Sequence, residues 1–233
     1  MVTLNNMYKV INLKKIFEIN GNKKTIFENM NLNIDNREIT IILGKSGCGK
    51  TTLLRMIAGL EEITDGRIDF YNKNGEKVKA KIGMVFQESR LMPWLTVKEN
   101  IEIHGNKIDT DKYLKMISSE FKDAYPSQLS GGMAQRVAIA RALSYQPDTL
   151  LMDEPFSALD YFTREQLQRE IIKVYEKTET GIIFVTHNID EALMLAHRII
   201  VINEGKIAKE FPRDIADMEL INLKKEILNK INN

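Results

Sequence analysis

Hydrophobic residues along the chain fall into short, nearly unbroken runs, and stretches with helical spacing lie between several of them. The runs occupy residues 39–43, 150–152, 182–185 and 199–202, and each ends in loop or turn residues. Unbroken apolar runs of this length are typical of strands buried on both faces, and intervening helices favour parallel pairing. The pattern therefore predicts an α/β protein built on a parallel sheet.

The first part of the chain has a different pattern. Residues 27–34 alternate between apolar residues and residues that include three asparagines, which predicts a strand with one buried face. Residues 9–13 are predicted to form an earlier strand, and residues 18–24 the loop between the two. These strands precede the parallel sheet and are expected to belong to a separate layer.

Helical spacing predicts the remaining elements. Residues 50–60 form one predicted helix, whose buried face includes Leu60, and a closing helix is expected from Met218. Residues 96–145 contain several helix starts and no strand-like run, so they are predicted to form an inserted helical lobe. The whole chain, 1–233, is expected to be one domain. Within it, 89–145 would form the helical subdomain, and 1–88 with 146–233 the β subdomain and the α/β core.

Composition narrows the possible partners and the compartment. Thirty-three Lys and Arg residues oppose 32 Asp and Glu residues, a net charge of +1 that provides no basic footprint for nucleic acid. The single cysteine excludes an internal disulfide framework and suggests a reducing compartment. No signal peptide is expected, and no apolar run approaches the ~20 residues that span a bilayer. If the protein works at a membrane, another chain must span it.

The clearest chemical motif is GKSGCGKT at residues 44–51, which fits G-x-x-x-x-G-K-[ST] between an apolar strand and a helix. Its glycines let backbone N–H groups surround phosphate oxygens, Lys50 would reach the β- and γ-phosphates, and Thr51 would ligate Mg²⁺. A glycine-rich turn without a ligand is the alternative. Cys48 is interpreted as a small filler, although a helix start can also make a thiol reactive. The predicted ATP-binding residues here are Gly44, Lys45, Ser46, Gly47, Cys48, Gly49, Lys50 and Thr51.

Two acidic residues, Asp153 and Glu154, end the apolar run that begins near residue 149. Because successive strand side chains point in opposite directions, the two carboxylates can serve different partners. One can support Mg²⁺ while the other positions and deprotonates an attacking water. Alone, such a pair is more often a turn or a helix cap, but beside a phosphate-binding loop the catalytic interpretation is favoured.

A second candidate anion site is LSGGMAQ at residues 129–135, which opens a predicted helix through Leu143. Ser130 is a plausible N-cap, and Gly131 and Gly132 expose backbone donors at the positive end of that helix. A capped helix start without a ligand is the alternative for this heptad taken alone.

Together these motifs resemble those of the ATP-binding-cassette ATPases over nearly the whole chain. The resemblance rests on 44–51, Gln87, 129–135, LLMDE, SALD at 157–160 and His187, in that order. It implies a P-loop NTPase (RecA-like) core with an N-terminal antiparallel β subdomain and an inserted helical subdomain, and ATP and Mg²⁺ as cofactors. It also implies a head-to-tail homodimer in which Ser130, Gly131, Gly132 and Gln135 of one subunit complete the ATP site built on the other.

Residue roles follow from the same resemblance. Glu154 would be the general base, His187 would sense the γ-phosphate, and Asp160 would communicate across the dimer. Thr52 would touch the α-phosphate, and Phe17 would stack on adenine unless it merely packs under the first sheet. The implied catalytic residues are Glu154, His187, Gln87 and Lys50, and the implied metal ligands are Thr51, Gln87 and Asp153.

The segment 85–101 contains the only tryptophan, Trp94, and resembles the nitrate, sulfonate and taurine group of importers. That implies an ATPase peripheral to the cytoplasmic face of the membrane, with transmembrane permease subunits and, indirectly, an extracytoplasmic solute-binding protein. Trp94 is interpreted as part of the wall that receives a permease helix, the alternative being that it seals the core of the lobe. Gly105-Asn106 is expected to end the first helix of the lobe early.

Other function classes remain as alternatives. A soluble cassette ATPase without a transport role is disfavoured because this chain has one cassette, and an importer of a pyrimidine vitamin precursor stays open. A regulator that does not hydrolyse ATP is disfavoured by Glu154. Asn188 stands where aspartate is common, and Tyr161-Phe162 are bulkier than usual, but neither departure removes a catalytic group.

Overall fold

A computed structural model describes residues 6–105, 109–117, 119–178, 180–212 and 220–232. The strands are β1 Met7–Ile19, β2 Asn22–Asp35, β3 Ile39–Leu43, β4 Asp65–Tyr71, β5 Lys77–Val78, β6 Ile82–Val85, β7 Thr149–Asp153, β8 Gly181–Thr186, β9 Arg198–Asn203 and β10 Lys206–Pro212. The α-helices are α1 Lys50–Ile57, α2 Val97–Glu102, α3 Thr110–Leu114, α4 Gly131–Ser144, α5 Tyr161–Thr178, α6 Ile189–Leu195 and α7 Leu220–Asn232.

The larger sheet has the order β10-β9-β3-β8-β7-β6. Strands β9, β3, β8, β7 and β6 are parallel, and β10 pairs antiparallel with β9. The predicted parallel sheet is therefore confirmed. Strands β6 and β10 were not predicted, because the first contains a glycine and the second alternates with lysine and glutamate.

Side chains that alternate along the central strands divide the interior into two cores. In β8, Ile182 and Phe184 face a core shared with α2 to α7, whereas Ile183 and Val185 face a core shared with α1 and the smaller sheet. All six residues of β8 are buried. A strand covered on both faces has no polar side, which is why these runs are almost wholly apolar.

The smaller sheet is antiparallel with the order β2-β1-β4-β5. The loop predicted at 18–24 is wrong, because β1 continues to Ile19 and β2 begins at Asn22. Asn20 and Gly21, with φ of 52° and 78°, make the two-residue connection for which Asn-Gly is the preferred pair. The charged residues at the tip of this hairpin, Glu18, Lys23 and Lys24, are exposed.

Helices α2, α3 and α4 form the lobe predicted between the strands, and their buried residues join the first core. Helix α1 ends at Ile57, so the prediction that it extends to residue 60 is wrong, and Leu60 is 57% exposed. The closing helix α7 buries Ile227 and Ile231. Helix α2 ends at Glu102, and Gly105 of the expected helix end Gly105-Asn106 follows it with its N–H donating to Glu102 O at 2.9 Å. Asn106 and the proposed helix start at Met218 lie outside the described residues.

A buried asparagine organises the turn before α2. Asn100 is fully buried, and its amide donates to the carbonyls of Met92, Leu95 and Thr96 at 3.2, 3.0 and 3.0 Å. Its Oδ1 accepts from Met92 N at 2.8 Å. The turn presents Trp94 outward with 70% of its surface exposed, so the alternative that Trp94 seals the core of the lobe is wrong.

Thr96 and Glu99 begin α2 with reciprocal side-chain-to-backbone hydrogen bonds, a capping box visible in the sequence as Thr-x-x-Glu. Across the described residues, no helix combines the length and low polarity of a segment that crosses a bilayer.

Replacing Asn100 with Ala is expected to lower the free energy of unfolding by about 1–3 kcal/mol, because buried backbone groups lose their partners. Urea unfolding followed by circular dichroism measures this change. Asn33→Ala, at an exposed position of β2, is the control and should change the stability by less than about 0.5 kcal/mol. Equal losses in both variants would contradict the assigned role of Asn100.

Candidate active site

Four predicted site segments meet at one edge of the larger sheet. Strands β3, β8, β7 and β6 run parallel, with Leu43 opposite Thr186 and Asp153 opposite Val185. The loops that leave their carboxyl ends therefore emerge at the same edge, where open α/β sheets bind ligands. These loops carry residues 44–51, Gln87, Glu154 and His187.

The loop at residues 44–51 wraps around the side chain of Lys50. Lys50 is 4% exposed, and its Nζ donates to the carbonyl oxygens of Gly44 at 2.9 Å and Lys45 at 3.0 Å. An ammonium group has three donors, so one remains for an anion. Gly49 has φ of 103°, and a Cβ there would lie 2.6 Å from the Phe27 ring, so this position requires glycine. Lys45, Ser46 and Gly47 are exposed around the mouth of the loop.

Thr51 and Asp153 form the predicted metal-binding pair. Thr51 Oγ1 donates to Asp153 Oδ1 at 2.8 Å, joining the start of α1 to the end of β7. Burial raises the pKa of the Asp153 carboxyl above its usual value, while the Thr51 hydroxyl acts in the opposite direction. Hydroxyl and carboxylate oxygens are the hard donors that Mg²⁺ takes from proteins, and substrate phosphates and waters complete its shell. The described residues contain no cluster of three or more His, Cys, Asp or Glu suited to a metal. The Thr51 hydroxyl and the Asp153 carboxylate fit Mg²⁺ as two of its oxygen donors.

Glu154 and His187, which were predicted to serve the same site, lie close together. His187 Nδ1 lies 3.1 Å from Glu154 Oε2, with the side chains 54% and 18% exposed. Glu154 has φ of 44°, a left-handed conformation rare for a residue with a long side chain, and its N–H donates to Val185 O at 3.0 Å. Such strained backbone is found mainly at functional sites. In this conformation the Glu154 carboxylate contacts His187, the residue that follows β8.

Gln87 begins an exposed loop that α4 holds by its backbone. Arg141 donates to the carbonyls of Arg90 at 2.8 Å and Ser89 at 3.1 Å, and Gln135 Nε2 donates to Phe86 O at 3.2 Å. Burial lowers the pKa of Arg141. Gln135 was predicted to bind ATP, but it is only 3% exposed and its amide is directed into its own subunit. We correct that assignment: Gln135 positions the loop that carries Gln87.

The loop at Ser130 does not join the phosphate-binding loop within the subunit. Ser130 caps α4 by accepting from Met133 N at 3.3 Å, and Ser130 and Gly131 are exposed. A Cβ on Gly132 would lie 2.5 Å from Thr163 Cγ2, so this loop packs against the first turn of α5. Within the part of the chain that the structure describes, no hydrogen bond connects it to residues 44–51.

The remaining predicted residues surround these loops. Phe17 is half-buried in β1 with Lys15 Nζ 4.4 Å from its ring centroid, so its contact with adenine stays a prediction. Asp160 Oδ1 accepts from Thr163 N at 3.1 Å, and hydrogen bonding to the side chain and then to the backbone of Thr163 lowers the pKa of the Asp160 carboxyl. Thr52 is half-buried in α1. Burial raises the pKa of Cys48, which packs at the edge of the second core, and this favours the filler interpretation over a reactive thiol.

Sequence reasoning missed several residues that support the site, chief among them Arg141, Arg164 and Glu191. Glu191 follows the capping residue Asn188 by three positions, a Ser/Thr/Asn-x-x-Glu pattern that could have marked a helix start after His187. Asn188 Oδ1 accepts from the N–H groups of Asp190 and Glu191, so asparagine performs the capping here. Arg141 has no local signal, because its partners lie about 50 positions earlier in the chain.

The phosphate-binding loop, the metal pair and the carboxylate beside a histidine define a P-loop ATPase. The family model described as ABC transporter matches residues 27–157, more than half of the chain. The chain therefore belongs to the ATP-binding subunits of ABC transporters, which confirms the resemblance and the fold expected from it. It binds ATP with Mg²⁺ and hydrolyses ATP in coupling to transport.

Individual relatives extend this match over most of the chain. An uncharacterized ABC transporter ATP-binding protein of Methanocaldococcus jannaschii is 46% identical, covering 95% of this chain and 90% of the relative. An aliphatic sulfonates import ATP-binding protein of Bacillus subtilis is 43% identical, covering 87% of this chain and 83% of the relative. The solved dimeric structure of an ATP-binding cassette in a post-hydrolysis state with ADP and Pi has a TM-score of 0.77 and 33% identity, covering 90% of this chain and 100% of that chain.

Lys50→Ala is expected to weaken ATP binding roughly 10- to 100-fold, because hydrogen bonds to charged groups contribute about 1.5–3 kcal/mol. Titration calorimetry with ATP and Mg²⁺ measures the affinity. Lys73→Ala, in the exposed turn between β4 and β5, should leave the affinity unchanged. An unaltered ATP affinity in Lys50→Ala would contradict the assignment of the loop.

Proposed function

We propose that the protein is the ATPase subunit of an importer for aliphatic sulfonates or closely related small organic anions. The observation that carries the ATPase assignment is the Glu154 carboxylate, held beside His187 next to the Thr51–Asp153 pair. The solute class is supported by sulfonate-import relatives that are 40–43% identical over most of this chain. The segment around Trp94 favours the same group of importers.

The residues of one subunit bind the phosphates and Mg²⁺ and activate the attacking water. Lys50 donates to the phosphates, while backbone N–H groups of the loop surround them. Bound Mg²⁺ supplies charge neutralisation at the phosphate oxygens, and Thr51, Asp153 and Gln87 are the side chains that hold it. Glu154 accepts a proton from the attacking water, and the contact with Nδ1 of His187 fixes the orientation of that carboxylate.

A second copy of the chain supplies the residues that complete the ATP site. Ser130 and Gly131 are exposed at the positive end of α4, where backbone donors suit an anion. The solved cassette with a similar fold is described as dimeric. We infer that two copies associate head to tail, so that Ser130, Gly131 and Gly132 of each one meet the ATP held by Lys50 of the other.

Permease subunits are the expected membrane partners. The loop from Phe86 to the turn at Trp94 is tied to α4 through Gln135 and Arg141, and to α2 through Asn100. It therefore moves with the helical lobe while its first residues lie beside the ATP site. Trp94 offers a large exposed apolar surface on this segment, suited to a permease helix. The subunit would lie on the cytoplasmic face of the membrane and act indirectly with an external solute-binding protein.

Glu154→Gln is expected to bind ATP normally but to lose roughly 10²–10⁴ in turnover, the usual contribution of a general base. Because ATP then persists, the variant should also form an ATP-dependent dimer. Single-turnover hydrolysis and analytical ultracentrifugation measure the two effects. Glu176→Gln, at an exposed position of α5, is the control and should match the unmodified protein. A Glu154→Gln variant that hydrolyses ATP at the unmodified rate would refute the base assignment.

Trp94→Ala is expected to keep the ATPase activity of the isolated subunit and to weaken permease binding. Truncating a central interface tryptophan typically costs about 2 kcal/mol or more, roughly a 30-fold loss of affinity. The measurement is uptake of a labelled alkanesulfonate by cells that carry the cognate permease and binding protein. Ile19→Ala, which alters an exposed apolar residue at the tip of the β1–β2 hairpin, is the control. Uptake that survives in Trp94→Ala would contradict the docking role, and an unmodified transporter that takes up no sulfonate would contradict the solute class.

A further inference from the structure

Two charged side chains that the proposed mechanism does not use lie between the loop at 157–160 and His187. Glu191, in the first turn of α6, is 6% exposed, and Arg164 lies in the first turn of α5. The Arg164 side chain is 30% exposed, but its Nε is buried. Buried charged groups are costly unless they are paired or hydrogen-bonded, so the Glu191 carboxylate and the Arg164 Nε require an explanation. Their partners show that they connect two parts of the site.

Glu191 holds the backbone that carries His187. Its Oε2 accepts from the Thr186 hydroxyl at 2.6 Å, and the same Thr186 oxygen accepts from Asn188 N at 3.0 Å. The residues on both sides of His187 are therefore fixed by one buried carboxylate. Because His187 contacts Glu154, a displacement of Glu191 would be transmitted to the general base.

Arg164 holds the other end of the connection. Its guanidinium donates to the carbonyl of Leu159 at 3.0 Å, and its backbone N–H donates to Asp160 O at 3.0 Å. Leu159 is nearly buried, whereas its neighbours Ala158 and Asp160 are exposed. A molecule that pressed on the exposed part of this loop would thus shift the Leu159 carbonyl and the guanidinium bound to it.

The two side chains approach each other without a hydrogen bond. Arg164 Nε is buried and has no hydrogen-bond partner, and it lies 3.8 Å from Glu191 Oε1. A cavity of about 70 Å³, whose walls include Glu154 and Ser157, adjoins the pair. A small displacement of either side chain can therefore make or break a charge-assisted hydrogen bond, which is stronger than a neutral one.

We propose that Arg164 and Glu191 are a positioning pair that transmits the conformation of the loop at 157–160 to His187 and hence to Glu154. The proposal rests on the proposed function, in which two copies associate head to tail, and on the expectation from the family resemblance that Asp160 of this loop communicates across the dimer. Arrival of the partner moves the loop, Arg164 follows the Leu159 carbonyl, and Glu191 adjusts Thr186 and His187. Neither side chain touches ATP, so the pair controls the rate of hydrolysis rather than the affinity for nucleotide.

The test uses Glu191→Gln and Arg164→Gln, separately and combined, in the full-length protein. Glu191→Gln is the more informative variant, since it keeps the side-chain shape and an acceptor for Thr186 while removing the charge that faces Arg164. Each single variant should lower kcat roughly 10- to 100-fold, because small misplacements of reacting groups have effects of this size. The KM for ATP should stay within about 2-fold, as expected when binding is untouched.

Two further readouts separate positioning from a structural role. If the pair acts as one connection, the combined variant should lose no more than the worse single variant. The Hill coefficient for ATP should fall toward one, because the subunits no longer coordinate. Glu170→Gln is the control. Glu170 is also on α5 and forms a half-buried ion pair with Arg136 of α4 at 3.1 Å. Loss of this ion pair should leave kcat and cooperativity unchanged.

Several outcomes would overturn the inference. They are an unchanged kcat and Hill coefficient in Glu191→Gln, additive losses in the combined variant, or a rise in KM with a parallel fall in melting temperature. If Arg164→Gln does not fold, the kcat and Hill coefficient of Glu191→Gln still decide. The proposed function fails, and this inference with it, if the unmodified protein does not hydrolyse ATP and the Glu154→Gln variant does not dimerise with ATP. If the unmodified protein is active and cooperative, only the inference is at stake.

Discussion

The parallel pairing of β3, β8 and β7, buried on both faces, is the constraint on which the rest of the molecule depends. Each strand must be apolar along its length, so polar chemistry is confined to its ends. Equal register then brings those ends to one level, with Asp153 opposite Val185 and Leu43 opposite Thr186. The catalytic groups are neighbours because the hydrophobic strands that precede them are aligned, not because they attract one another.

The same alignment separates the two cores. Residues of odd and even position on each strand pack against different layers, so the helical lobe and the smaller sheet share no side-chain face. The helical layer and the smaller-sheet layer can influence one another at the edge of the larger sheet, where the site residues lie. Glu154 illustrates this, because its left-handed backbone, bonded to Val185, directs its carboxylate toward His187.

Features set by local chemistry were predictable from the sequence, and features set by distant contacts were not. The loop at 44–51, the acidic pair and the capped start of α4 follow from residue types at fixed spacing. The tip of the β1–β2 hairpin, residues 18–24, was taken for a loop because it is charged and exposed. Leu60 was assigned to a buried helix face because periodicity does not show where a helix ends. Gln135 belongs to a motif, but its direction depends on Phe86, 49 positions away.

Gln135 and Arg141 bind the loop around Gln87 through its main-chain carbonyl oxygens, so the side chains of that loop take no part in these hydrogen bonds. Gln135 and Arg141 hold Phe86, Ser89 and Arg90 through atoms that any amino acid possesses. Substitutions at these positions can therefore alter the outward surface without loosening its mechanical connection to the lobe. Related proteins could therefore bind different membrane partners through this surface while the ATP site and its connection to the helical lobe stayed the same.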